Sequence, residues 1–115
     1  MDKDRPIEEV CSLLKSLLKD DANQIIFCTG RVEDYREVTI EQISKILKGS
    51  KNIDMDSCLY MRPKGDYRKD FMVKRDLYKR MIVDGFHPVL VFEDKITVVE
   101  MWKEMGLKCL RVTGA

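Results

Sequence analysis

The chain alternates between two patterns of apolar residues, one with helical spacing and one of short continuous runs. Apolar stripes with helical spacing start at Ile7, Ile40, Val73 and Val98. A short apolar run follows each stripe, at residues 24–28, 58–61, 88–92 and 108–112. We therefore predict the order α-β-α-β-α-β-α-β, which is typical of a parallel sheet with helices packed on its faces.

Polar residues and glycines predict where several of these elements begin and end. Thr39 is a predicted N-cap of the second helix, and Gly49 lies just beyond its end. Asp70 is the predicted N-cap of the third helix. Trp102 fits the stripe of the fourth helix, so we predict that it belongs to the core.

Composition limits the classes of protein that are compatible with the chain. Its 115 residues, 44% of them hydrophobic, predict a single domain over residues 1–115 with a small core. The net charge of +1 means that contact with nucleic acid would need a local basic patch. No apolar run has membrane-spanning length, and the four cysteines contain no C-x-x-C spacing. We expect no membrane partner and a cytoplasmic location with reduced cysteines.

Chemistry is expected at the carboxyl ends of the strands, where α/β folds bind ligands. Thr29, Gly30 and Arg31 end the first apolar run, and a hydroxyl, a glycine and a guanidinium can bind a phosphoryl group together. Lys74, one turn into the third helix, would add a point charge. An ordinary turn and a solvated lysine are the alternatives.

Two further groups follow the second and third strands. Glu93 and Asp94 come directly after the third strand, where they could hold a hard cation or cap the next helix. The basic segment 62–69 contains Tyr67 and suits a nucleic-acid backbone, although an exposed charged loop explains it equally well.

Specific strings in these segments resemble a known family. Residues 25–31, IIFCTGR, resemble the second motif of haloacid-dehalogenase (HAD) superfamily phosphatases. Residues 60–70, YMRPKGDYRKD, and residues 89–102, which include VVEMW, resemble the 3′-phosphatase branch of the polynucleotide kinase/phosphatases. The resemblance implies a three-layer Rossmann-like HAD fold with a parallel sheet and no cap domain. It also implies hydrolysis of phosphate monoesters at nucleic-acid ends with Mg²⁺.

The resemblance also implies roles for individual residues. The catalytic residues would be Thr29 and Lys74. The residues expected to bind substrate are Thr29, Gly30, Arg31, Arg62 and Lys74. Glu93 and Asp94 would lie on the metal side, with Glu93 standing where the family usually has aspartate.

The family's first motif, D-x-D-G-T on a central strand, has no clear counterpart in the chain. Asp2 and Asp4 have the D-x-D spacing, but no apolar strand precedes them and Arg5-Pro6 follows, so we expect neither to be the nucleophile. The isolated chain is then expected to be inactive. The missing strand would lie between those ending at Cys28 and Phe92. Either these two strands pair directly, or a segment of a second chain or of another copy fills the slot.

Three functions remain open from the sequence. The chain is the bulk of a polynucleotide 3′-phosphatase whose first motif lies elsewhere. Alternatively, it is a non-catalytic HAD-like module that binds nucleic acid, a nucleotide or a protein. In the third case it is part of a phosphatase for a small nucleotide or sugar phosphate. The basic segment 62–69 favours nucleic acid as the substrate.

Overall fold

The computed structural model describes residues 8–20, 22–48 and 53–112, and the predicted alternation of helices and strands is confirmed there. The predictions for Asp2, Asp4 and Gly49 fall outside these residues. The helices are α1 Glu8–Leu18, α2 Arg36–Ile46, α3 Met55–Cys58, α4 Asp70–Val83 and α5 Ile96–Glu104. The strands are β1 Phe27–Val32, β2 Leu59–Arg62, β3 Leu90–Glu93 and β4 Lys108–Arg111. The short α3 and a 3₁₀ turn at Glu33–Tyr35 were not predicted.

The strands of the described residues form two small sheets. β1 pairs with β2, and β3 pairs with β4 in parallel, in a register that runs from Leu90↔Lys108 to Glu93↔Arg111. Direct pairing of β1 with β3, one of the two alternatives above, is therefore wrong for the part of the chain that the structure describes. Side chains of α4 reach toward both β1 and β3. Lys74 of α4 binds Glu93 at the end of β3, and Asp70 of α4 binds Arg62, which also binds Gly30 of β1.

The chain divides into two compact units, of which the first comprises Met1–Phe27 and Asp34–Tyr60. In this unit Arg36 donates hydrogen bonds to the carbonyl oxygens of Met55, at 3.2 Å, and Leu59, at 2.8 Å. The predicted cap at Thr39 is wrong, because α2 begins at Arg36, directly after the 3₁₀ turn. Thr39 is instead buried inside α2, where its hydroxyl donates to the Tyr35 carbonyl oxygen at 2.7 Å.

The second unit, Cys28–Glu33 and Met61–Ala115, has its own core. Its central cluster comes from α5 and β4 and contains Val98, Val99, Met101, Trp102 and Cys109. Helix α4 buries Val73, Leu77 and Met81, which lie one turn apart, as the apolar stripe predicted. Tyr78 meets Trp102 edge to face, with ring centroids 5.8 Å apart.

Strands β1, β3 and β4 are less buried than the strands of a central parallel sheet, whereas β2 is buried over most of its length. Every residue of β1 is half-buried, and Leu90 of β3 and Leu110 of β4 are 44% and 54% exposed. In the described residues, the strands near Cys28 and Phe92 are therefore not buried on both faces, and each has only one neighbouring strand.

None of the helices in residues 8–20, 22–48 and 53–112 has both the length and the apolar character needed to cross a membrane.

Candidate active site

The Thr29-Gly30-Arg31 segment lies inside β1, not in a turn after the strand as predicted. The Gly30 carbonyl oxygen accepts a hydrogen bond at 2.7 Å from Nε of Arg62, the last residue of neighbouring β2. Thr29 Oγ1 accepts the backbone N–H of Arg31 at 3.2 Å. The hydroxyl is thus held along the strand, with its own O–H remaining as a donor.

Arg62 ties β1 to the loop between β2 and α4. Its Nη1 donates to the carbonyl oxygens of Asp66, at 3.0 Å, and Arg68, at 2.6 Å, and its Nη2 pairs with the carboxylate of Asp70. The side chain is only 11% exposed. These bonds engage all three guanidinium nitrogens, so a substrate contact by Arg62 would use the remaining Nη2 donor.

Asp70 is the first residue of α4 and not its N-cap, which is Lys69. Its carboxylate bridges Arg62 and Lys95, whose Nζ lies 2.9 Å from Oδ2. The hydrogen bond from Lys95, followed by the charges of Lys74 and Arg62, holds the pKa of this carboxyl below its usual value. The predicted cap is wrong because these partners draw the carboxylate away from the helix N–H groups.

Gly30 allows this carboxylate to approach β1. A Cβ at position 30 would lie 2.7 Å from Asp70 Oδ1, closer than real side-chain contacts permit. A glycine inside a strand is itself a sign of close approach by another group, which is the sequence signal that pointed to this contact.

The ionisation of Asp70 should make stability depend on pH. The folded-state pKa is lowered from 3.8, so the stabilising contribution is present above that value and is lost as the pH falls through the folded-state pKa. We expect the difference in unfolding free energy between wild type and Asp70→Asn to be constant near neutrality and to shrink below about pH 4. Urea unfolding from pH 7 to pH 2.5 measures it, and a difference that grows on acidification would contradict the assignment.

A buried ion pair lies at the end of β3. Lys74 Nζ contacts both carboxylate oxygens of Glu93, at 3.1 Å and 3.3 Å, and the two side chains are only 12% and 8% exposed. Glu93 is the last residue of β3, whereas the sequence placed it in the following loop. The predicted capping alternative is not observed either, because the N-cap of α5 is Lys95.

Trp102 binds the carboxylate of this ion pair. It is buried, as predicted, but its indole Nε1 also donates to Glu93 Oε1 at 3.3 Å. This contact was missed at the level of sequence, where only the apolar ring was considered. The available signal was that a buried indole N–H usually requires an acceptor.

Cys28 lies beside the ion pair but is not a nucleophile. Burial raises the pKa of its thiol to about 12, with a smaller lowering by Lys74 and a smaller raising by Glu93. The thiol is therefore protonated near neutral pH, and the thiolate is the reactive form of cysteine. Cys28 of β1 packs against the core cluster formed by α5 and β4.

The metal prediction finds little support in the described geometry. Within residues 8–20, 22–48 and 53–112 there is no group of three or more His, Cys, Asp or Glu side chains that could hold a metal ion. The Glu93 carboxylate is neutralised by Lys74, and Asp94 is exposed. Glu93 and Asp94 therefore do not by themselves form a complete site for Mg²⁺, which phosphatases of the HAD type generally use, and their place on the metal side stays a prediction.

Four predicted site segments nevertheless meet: β1, the Arg62 loop, the first turns of α4 and the end of β3. The contacts are Arg62 with Gly30 and Asp70, and Lys74 with Glu93. The chain is thus an α/β protein in which paired cations and carboxylates gather at the ends of the strands. A family model described as the polynucleotide kinase PNKP phosphatase domain matches residues 1–115, and the chain belongs to this HAD-type family.

Two relatives illustrate the family. The chain is 29% identical over 101 residues to the "Putative bifunctional polynucleotide kinase/RNA ligase" of Autographa californica nuclear polyhedrosis virus. The aligned region covers 86% of this chain and 14% of that protein. It also matches a chain of the solved "Structure of Pnkp1/Rnl/Hen1 complex" with a TM-score of 0.80 and 29% identity, over 96% of this chain and 37% of that one. The predicted family and fold class are confirmed, and the chain spans well under half the length of either relative.

Proposed function

We propose that the chain provides the phosphate-binding part of a polynucleotide 3′-phosphatase domain, with residues 1–115 forming one such domain. The observation that carries the proposal is that Arg62 joins Gly30 of β1 to Asp70 at the start of α4, the helix on which Lys74 lies one turn further along. The proposed substrate-binding residues are Thr29, Gly30, Arg31, Arg62 and Lys74. The family membership supports phosphate-monoester hydrolysis as the reaction.

Lys74 is the proposed electrostatic element of the site. Both oxygens of Glu93 hold its ammonium group, and the Trp102 indole holds Glu93 in turn. An ammonium group that is fixed before substrate binds stabilises phosphoryl oxygens without reorganising at the moment of reaction. The hydroxyl of Thr29 is the proposed second contact, because its O–H remains available to donate.

The nucleophile and the metal ligands that would complete the site with Glu93 and Asp94 are proposed to come from outside the described residues. Glu93 and Asp70 already form ion pairs, Glu93 with Lys74 and Asp70 with Arg62 and Lys95, so neither is available as the nucleophile. A strand that enters between β1 and β3 would supply an aspartate, either from elsewhere in the same protein or from a second chain or copy. The arrangement of β1 and β3 in separate sheets supports that proposal.

The test is turnover by the 115-residue chain of a 3′-phosphorylated oligonucleotide and of p-nitrophenyl phosphate with Mg²⁺. We expect no turnover above background, together with weak binding of inorganic phosphate measured by ³¹P NMR. Phosphate binding should disappear in the double variant Lys74→Gln with Glu93→Gln, which removes the cation while keeping two amides that can pair. Lys19→Gln, on an exposed surface outside the site, is the control.

Robust turnover that is lost in Asp2→Asn would overturn the proposal about the nucleophile and make Asp2 the attacking group. Phosphate binding that is unchanged in the double variant would instead remove Lys74 from the site.

A second candidate is a non-catalytic module that binds phosphate-bearing ligands. It is favoured by the ion pair between Lys74 and Glu93, because Lys74 binds the carboxylate that was expected on the metal side. A peptide that carries the family's D-x-D-G-T strand can be added to the chain. Phosphate binding without turnover in the presence of this peptide would support this candidate. A small nucleotide as substrate is separated from nucleic acid by comparing a 3′-mononucleotide with a 3′-phosphorylated oligonucleotide.

A cytoplasmic location is also proposed. Cys11, Cys28, Cys58 and Cys109 are all unpaired thiols, which is the usual state in a reducing compartment.

A further inference from the structure

Tyr67 is the most exposed large hydrophobic residue among those that the structure describes, at 93% exposure. It lies in the loop between β2 and α4, and its neighbours hold that loop from both sides. Arg62 Nη1 donates to the carbonyl oxygens of Asp66 and Arg68, the residues immediately before and after Tyr67. The aromatic ring therefore projects from a backbone that is fixed at its base.

Further bonds within the loop strengthen this support. The backbone N–H and Nε of Arg68 donate to Asp66 Oδ1, at 3.1 Å and 3.0 Å, and Nη2 donates to Oδ2 at 2.8 Å. Arg68 also pairs with Asp76 of α4 at 2.8 Å. The Asp66 N–H donates to the Pro63 carbonyl oxygen at 3.1 Å, which closes the turn. An ordered loop loses little conformational entropy when a ligand binds, so it is suited to present a side chain for recognition.

The charges around the ring select the kind of ligand. Arg68 is compensated by Asp66 and Asp76, so it adds little net positive charge. Lys64 and Lys69, three residues before and two residues after Tyr67, are exposed. An aromatic face between two lysines matches single-stranded nucleic acid, whose bases stack on aromatic rings and whose phosphates attract cations.

The position of the ring relates it to the phosphate site. Arg62 contacts the peptide groups on both sides of Tyr67, and the same guanidinium contacts Gly30 and Asp70. Tyr67 therefore stands on the loop that borders the proposed phosphoryl site. A ligand whose terminal phosphate lies at β1 would bring its nucleotides toward this loop.

We propose that Tyr67 is a stacking platform for a base near the 3′ end of a single-stranded nucleic acid, with Lys64 and Lys69 contacting its backbone. This inference rests on the proposed function, because it takes the terminal phosphate to be bound beside Lys74. Tyrosine suits the role, since it offers a large flat surface at a low cost in side-chain entropy. Stacking on a ring tolerates any base, so we expect little sequence preference.

The test is fluorescence anisotropy with a 5′-labelled single-stranded oligonucleotide that carries a 3′-phosphate. Tyr67→Ala should weaken binding on the order of tenfold, whereas Tyr67→Phe and Tyr67→Trp should bind like the wild type. Tyr35→Ala is the matched control, because Tyr35 is also exposed, at 57%, and lies in the first unit. An oligonucleotide with abasic sites at its last two positions should lose the same factor with the wild type and nothing further with Tyr67→Ala.

Each result decides between the inference and the function on which it rests. Oligonucleotide binding that is indifferent to Tyr67→Ala overturns the inference. Absence of oligonucleotide binding also overturns it, and binding of inorganic phosphate to the same sample then shows whether the proposed phosphate site survives. Loss of binding to both ligands in the wild type means that the proposed function has failed.

Discussion

Lys74→Ala is expected to destabilise the folded chain by about 3 to 5 kcal/mol, because it leaves the Glu93 carboxylate buried without its cation. Glu93 is only 8% exposed, and of the hydrogen bonds that hold it in wild type, only those from the Trp102 indole and, at 3.5 Å, the Lys95 N–H would remain. Urea unfolding followed by the fluorescence of Trp102, the only tryptophan in the chain, measures the change. Adding Glu93→Gln should recover part of the loss, because a neutral amide is cheaper to bury than an unpaired charge.

Lys95→Ala is the matched control for this experiment. Lys95 also forms an ion pair with a carboxylate, Asp70, but its side chain is 56% exposed. Exposed pairs contribute between about 0 and 1 kcal/mol, so this variant should change stability little. If Lys74→Ala costs no more than Lys95→Ala, the Lys74–Glu93 pair is open to solvent and does not form the buried element described above.

Arg62→Lys is expected to cost about 3 kcal/mol and to release the loop of residues 63–69. Lysine keeps the charge, but its ammonium group cannot reach the Gly30, Asp66 and Arg68 carbonyl oxygens and Asp70 at once. Losing two hydrogen bonds to a charged group, at about 1.5 kcal/mol or more each, accounts for that estimate. Urea unfolding measures the stability, and hydrogen exchange should become faster in residues 63–69.

Arg68→Lys provides the comparison for the loop. Arg68 pairs with Asp66 and Asp76, but its side chain is 44% exposed, so we expect a much smaller loss of stability than in Arg62→Lys. Equal effects of the two lysine substitutions would show that the loop depends on surface charge and not on the geometry of the Arg62 guanidinium. Unchanged exchange in residues 63–69 of Arg62→Lys would contradict its proposed role as the support of Tyr67.

The sequence by itself determined the alternation of elements and the family. Apolar stripes and runs depend on local spacing, and α4 and α5 begin within one turn of the first positions of their apolar stripes, Val73 and Val98. The strings around Arg62, Lys74 and Glu93 were specific enough to identify the polynucleotide kinase phosphatase family. Thr29, Gly30 and Arg31 were expected at a strand end close to the other site segments, and Gly30 contacts Arg62.

Only the tertiary structure decided which partner each polar group takes. Thr39 and Asp70 are both good capping residues by type, but a helix start three residues earlier, and the cations Arg62 and Lys95, override that local preference. Trp102 fits an apolar stripe, yet its indole N–H binds a carboxylate on another element. Propensity and periodicity concern neighbours along the chain, whereas the contacts of Gly30 with Arg62 and of Lys74 with Glu93 join residues that only packing brings together.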